Sequence, residues 1–151
     1  MTAEQVEEIR IAALIHDIGK ISVPGEILSK PGTLSPTEFD LVKEHSAAGH
    51  RIIFSADMAG DVAEIAQQHH ERCDGSGYPD GLSASELLLA SRVLMVADVV
   101  EAMMSHRPYR SALGQDAALV EIERGAGTAY DAEVVEACLR VFREQGFEFS
   151  N

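Results

Sequence analysis

The sequence predicts an all-α fold. Apolar residues recur at helical spacing in six separate stretches, and no stretch shows the apolar–polar alternation of a half-buried strand. Two of the stretches also begin at strong helix-start signals, Ser35-Pro36-Thr37-Glu38 and Asp131.

Residues 3–18 are apolar almost all round after Glu8, which predicts a buried helix stopped by Gly19. The stretch "SVPGEILSKPGTLSP" is rich in glycine and proline and reads as a loop with one short helical turn. Ser35 then supplies an N-cap, Pro36 the first turn and Glu38 the closing half of a capping box. The helix they open runs to about Phe54, with Phe39, Val42, Gly49 and Ile52 on its apolar face. Asp61 begins another, striped by Val62, Ile65 and Ala66. "RCDGSGYPDGL" is a loop, because three glycines and a proline fall within it. Helices over about 90–105, 114–124 and 131–145 follow, the last capped by Asp131.

A chain of 151 residues, 46% hydrophobic and 25% charged, makes one domain with a single packed core. No apolar run reaches the roughly 20 residues of a membrane span, and "MTAEQVEEIR" is not a signal peptide. Cys73 and Cys138 form no CxxC pair, so reduced thiols in the cytoplasm are expected. The net charge of −13 excludes wrapping of polymeric nucleic acid on a basic surface. An anionic substrate would need metal ions or a few placed cations.

The histidines suggest which. His16 and Asp17 are adjacent within an apolar run, and burying either unpaired would cost several kcal/mol, roughly. A hydrogen-bonded structural pair would satisfy them; so would a metal. His45 falls on the apolar face of its helix, His69 continues the stripe of Val62, Ile65 and Ala66, and His70 is its neighbour. Asp98 follows "SRVLMVA" with Glu101 one turn on. So many inward ionisable groups on four separate helices are better explained by shared metal ligation than by separate buried pairs. Adjacent ligands about 100° apart on a helix suit two metals bridged by one carboxylate. His50 and His106 read as surface residues.

Taken together, "HDIGK" (16–20), "KEHSAAG" (43–49), "HHERCDGSGYP" (69–79), "ADVVEAMMSHRPYR" (97–110) and "GTAYDAEVV" (127–135) resemble the HD-GYP family of HD-domain phosphohydrolases. The resemblance spans nearly the whole chain. It implies a helical bundle that hydrolyses cyclic di-GMP to pGpG, often onward to GMP, at a centre of two or more metals. Iron or manganese is the expected ion, with zinc or nickel as alternatives. His16, Asp17, His45, His69, His70 and Asp98 correspond to metal ligands, Asp17 to the bridge and Lys20 to the lysine facing the scissile phosphate. Tyr78 corresponds to the guanine or ribose side of the pocket, and Arg107 and Arg110 to phosphate contacts. The resemblance also brings signalling proteins into view as partners.

Three departures from the family pattern bear on activity. Relatives carry a further helix upstream with another histidine ligand, whereas none of the 15 residues before His16 is histidine. That leads one to expect an N-terminally shortened HD-GYP domain over 1–151 and slow or no turnover. Glu101 stands where aspartate is usual, and Cys73 where an aromatic is common. Two functions therefore stay open at this point: a cyclic di-GMP phosphodiesterase, or a degenerate module that binds the nucleotide or a partner without efficient turnover.

Overall fold

A computed structural model describes residues 1–58, 60–105, 113–147 and 149. The described residues form helices α1 (Ala3–Ile15), α2 (Gly25–Leu28), α3 (Pro36–Ser55), α4 (Val62–Gln68), α5 (Leu89–Met104), α6 (Gln115–Arg124) and α7 (Ala132–Arg143). A 3₁₀ turn, Ile18–Ser22, joins α1 to α2. Among these residues the only β-type pairings are two isolated bridges, Asp74 with Ser83 and Ala126 with Tyr130. The all-α expectation holds.

The start signals work as their chemistry requires. Ser35 Oγ accepts from the Glu38 N–H while the Glu38 carboxylate accepts from the Ser35 N–H, so two orphan donors at the head of α3 are satisfied together. At α7, the Asp131 carboxylate accepts from the N–H groups of Glu133 and Val134.

The core has two parts joined by α5. Ala12, Ile53, Val62, Ile65, Ala66 and Leu94 bring α1, α3, α4 and α5 together. Met95, Val96 and Val100 turn the other side of α5 toward α6 and α7, against Leu119, Ile122 and Val135. Apolar area in these contacts is the main stabilising term.

Two sequence expectations are corrected. Helix α1 is not buried all round: Ala12 is its only buried residue, and Leu14 is 72% exposed. Its neighbours are α4 and α5 on one side, so the apolar residues on its other side have nothing to cover them. It also ends at Ile15, before the expected Gly19. On α3 the buried stripe is His45, Ser46, Gly49 and Ile53, while Phe39 and Ile52 lie at the surface, because the 3₁₀ turn and α4 claim a side rotated by about one residue.

Candidate metal centre

The HDIGK segment is shaped by a glycine. Gly19 is buried where the 3₁₀ turn crosses α3, and a Cβ at this position would overlap the His45 carbonyl and the Gly49 backbone. Only glycine admits this approach, which seats Asp17 and Lys20 against the middle of α3. His16 is the C-cap of α1 and His69 the C-cap of α4, so both histidine pairs lie at helix ends rather than within helices as expected. The negative ends of two helix dipoles thus face one place, which favours a cation there.

Three histidines share one orienting device. The Nδ1 atoms of His16, His45 and His69 lie 2.9, 2.6 and 2.5 Å from the carbonyls of Ala13, Val42 and Ala66, each three residues back. A carbonyl only accepts, so Nδ1 carries the hydrogen and the Nε2 lone pair of the neutral ring points inward. His45 Nε2 and His69 Nε2 then face each other at 3.4 Å, acceptor to acceptor. Asp17 Oδ1 stands 3.4 Å from His45 Nε2 and 4.0 Å from His69 Nε2, and it is buried without a hydrogen-bond donor. Three buried acceptors converging with no donor among them make a place that a cation would satisfy.

Asp17, His45, His69 and His70 each offer a ligand atom within 4.8 Å of the others, so these residues fit a divalent metal. The second Asp17 oxygen faces elsewhere. Oδ2 lies 3.6 Å from His16 Nε2 and 2.5 Å from Lys20 Nζ, and His16 Nε2 is 3.7 Å from Asp98 Oδ1. Asp17 therefore presents one oxygen to each of two donor groups. Both groups are drawn from sequence-identified residues: His45, His69 and His70 on one side, His16 and Asp98 on the other.

The local electrostatics agree. Burial pushes the His69 pKa down to about 4, and burial with His69 alongside lowers that of His70, so both stay neutral and able to ligate at neutral pH. Burial raises the Asp17 pKa, but its neighbours, the Lys20 ammonium among them, more than offset it and hold the carboxyl well below the usual range. Asp98 is likewise lowered against its burial, by His16, His70 and His69. For His16 the cost of burial is outweighed by Asp98 and Asp17, and its pKa is raised.

The remaining candidates divide. The Tyr78 ring stacks on His70 with centroids 4.8 Å apart, at the edge of the centre. Glu101 accepts from the Ser105 hydroxyl at 2.5 Å. With His16, Asp17 and Asp98 it lines a cavity of about 1090 Å³ whose other walls are mainly apolar residues, many from α5 and α7. His50 is away from the centre, with Nε2 3.6 Å from Glu64 and its ring stacked on Phe54. His106, Arg107 and Arg110 lie outside the described residues.

Glu71 has a part that sequence reasoning missed. Its fully buried carboxylate accepts from three backbone N–H groups, Asp80 at 2.7 Å and Gly81 at 3.1 Å on one oxygen and Leu82 at 3.0 Å on the other. The chain returns to it because Gly77 passes so close to the Glu71 and Arg72 backbone that a Cβ would overlap them. The Tyr78 N–H also donates to the His70 carbonyl at 3.2 Å. Glu71 thus ties down the loop that lays Tyr78 on His70. The signal available was a carboxylate next to two buried histidines and ahead of a glycine-rich turn.

Comparison with known proteins adds a relationship. A family model described as HD domain matches residues 1–134. A cyclic di-GMP phosphodiesterase of Thermotoga maritima is 46% identical over 92% of this chain and 38% of its own length. The cyclic di-GMP phosphodiesterase response regulator RpfG of Xanthomonas campestris is 41% identical over 93% of this chain and 38% of its own. A 3'3'-cGAMP-specific phosphodiesterase of Vibrio cholerae is 40% identical over 85% of this chain and 28% of its own. The chain thus spans less than two fifths of each of these relatives. The crystal structure of a V. cholerae cyclic GMP-AMP specific phosphodiesterase superimposes with a TM-score of 0.69 at 16% identity, covering 95% of this chain and 40% of that one. At that identity the likeness speaks for the fold.

Proposed function

The chain belongs to the HD domain family, in the HD-GYP branch its GYP segment marks, and from that premise we propose that it is a metal-dependent phosphodiesterase hydrolysing cyclic di-GMP to pGpG and GMP. The observation that carries this reading is the convergence of His45 Nε2, His69 Nε2 and Asp17 Oδ1 with no donor among them. Relatives at 46% and 41% identity described as cyclic di-GMP phosphodiesterases support the substrate.

In this reading His45, His69, His70 and Asp17 would hold one cation, and His16, Asp98 and the same Asp17 would hold a second. Iron or manganese is favoured by imidazole and carboxylate donors without thiolate, with zinc or nickel as alternatives. Such ions supply Lewis acidity toward a phosphate oxygen and lower the pKa of the attacking water. Lys20, brought to the centre by the 3₁₀ turn, neutralises charge that builds on the scissile phosphate. Tyr78 limits where the dinucleotide can lie beside His70. Arg107 and Arg110, assigned from sequence alone, clamp the distal phosphate. These cations let a chain of net charge −13 receive a dianion.

A signalling-protein partner belongs to the same reading, supported by the response-regulator description of the Xanthomonas relative. So does action in the cytoplasm; no described helix is long and apolar enough to cross a membrane. The test is hydrolysis of cyclic di-GMP by the 151-residue chain titrated with manganese or ferrous iron. Turnover should rise with metal and disappear in Asp17→Asn. Metal-independent turnover, or none at saturating metal, would defeat the proposal.

A further inference from the structure

The two donor groups of the metal centre are unequal. His45, His69, His70 and Asp17 bring four side chains together, three of them imidazoles. The second group has three, with His16 Nε2 3.7 Å from Asp98 Oδ1 and 3.6 Å from Oδ2 of the shared Asp17. All three also line the cavity of about 1090 Å³, whose other walls are mainly apolar.

Among the described residues, two further carboxylates line that cavity, Glu101 and Glu133. Glu133 lies in the first turn of α7, which the ion pair between Arg92 and Asp131 ties to α5 more than one turn before Asp98. Glu101 is on α5 itself, three residues after Asp98. That spacing is a rise of about 4.5 Å with about 60° between the side chains, so the two carboxylates stand one above the other on one face. Side chains of a helix lean toward its N-terminus, which carries Glu101 back over the turn that holds Asp98. Its stem, one methylene longer than that of Asp98, covers part of the rise. The Ser105 hydroxyl donates to Glu101 Oε1 at 2.5 Å and leaves the carboxylate its charge. Beside apolar walls that charge gains far more from a cation than it would in water.

From this arrangement we infer that Glu101 is a ligand of the second cation, making with His16, Asp98 and Asp17 a set of four side chains to match the first. The inference rests on the two-cation reading above and deepens it. Glu101 closes the side of the second cation that faces the apolar cavity, and an in-line displacement needs both ions fixed. One imidazole with three carboxylates is an oxygen-rich set, which suits manganese.

The experiment is equilibrium dialysis of the metal-free 151-residue chain against manganese, with electron paramagnetic resonance of the loaded protein. It compares the unaltered chain, Glu101→Gln and Ser105→Ala, alongside cyclic di-GMP turnover by the unaltered chain. Glutamine keeps the shape and still accepts from Ser105, so the metal-free thermal melt should not move. We expect the unaltered chain to take up two ions with the spectrum of a coupled pair. Glu101→Gln should weaken the second ion by roughly tenfold or more and give the spectrum of an isolated ion, with the first affinity unchanged. Ser105→Ala removes the hydroxyl but not the carboxylate and should keep both ions. A single ion in the unaltered chain, two ions of unaltered affinity in Glu101→Gln, or an equal loss in Ser105→Ala would overturn the assignment. If any of these is found while the unaltered chain cleaves cyclic di-GMP, the ligand falls and the hydrolytic reading stands. If the second ion depends on Glu101 but no cyclic dinucleotide is cleaved, the ligand stands and the hydrolytic reading falls.

Discussion

Replacing Glu71 by glutamine should destabilise the chain and loosen Tyr78 together. The side chain keeps its shape, but only one of its two terminal atoms can still accept. Pointing the amide oxygen at the Asp80 and Gly81 N–H groups keeps the bonds of 2.7 and 3.1 Å and turns an NH₂ toward the Leu82 N–H, now 3.0 Å from another donor. The reverse orientation loses two bonds to save one. The substitution therefore forfeits one bond to a charged acceptor, about 1.5–3 kcal/mol, and the remaining bonds weaken to neutral strength. For a domain of this size that lowers the melting midpoint by roughly 3–12 °C. Glu71→Ala should cost more, since it also empties a fully buried site. The assay is thermal unfolding by circular dichroism on metal-free and manganese-loaded protein, with cyclic di-GMP turnover on the same samples. A melting midpoint for Glu71→Gln within 1 °C of the unaltered chain, roughly a tenth of the larger shift, would refute the claim that this carboxylate anchors the loop.

Other consequences can be checked separately. In metal-free protein, the lowered pKa of His69, about 4 against 6.5 unfolded, means that the unfolded chain takes up the proton first as pH falls. Stability should therefore be present above pH 6.5 and decline toward pH 4, by up to about 1.4 kcal/mol per pH unit for each such histidine. The raised pKa of His16 acts above this window and the lowered ones of Asp17 and Asp98 below it, so urea midpoints flat from pH 6.5 to 4 would contradict the assignment. Gly19→Ala should destabilise by about 1–3 kcal/mol or more, because the new methyl meets the backbone of α3 rather than a movable side chain; unaltered denaturant midpoints would argue against the close crossing. Arg110→Ala should weaken cyclic di-GMP binding by about 1–3 kcal/mol, read by calorimetry; an unchanged affinity would remove it from the site.

Much of the centre was legible in the sequence because periodicity places side chains. Val62, Ile65 and Ala66 point inward, so His69 on the same stripe does as well, and Ser35 with Glu38 marks the head of α3 by residue type and spacing alone. What periodicity cannot show is what a helix packs against. The apolar residues of α1 predict burial, but neighbours on one side leave Leu14 outside. It also says nothing about contacts made across a loop. Glu71 finds its donors at residues 80–82 only because the chain doubles back at Gly77. The inward Nε2 lone pairs of His45 and His69 follow from bonds to the Val42 and Ala66 carbonyls, and these depend on side-chain torsions that no residue pattern records.

The central claim is that the converging acceptors of Asp17, His45 and His69 hold a cation. Anomalous diffraction from crystals of the chain grown with manganese measures this most directly. The account predicts a manganese peak in bonding distance of Asp17 Oδ1, His45 Nε2 and His69 Nε2, and its loss in His45→Ala. No peak at saturating manganese, with a protonated histidine Nε2 donating to Asp17 Oδ1 instead, would contradict it.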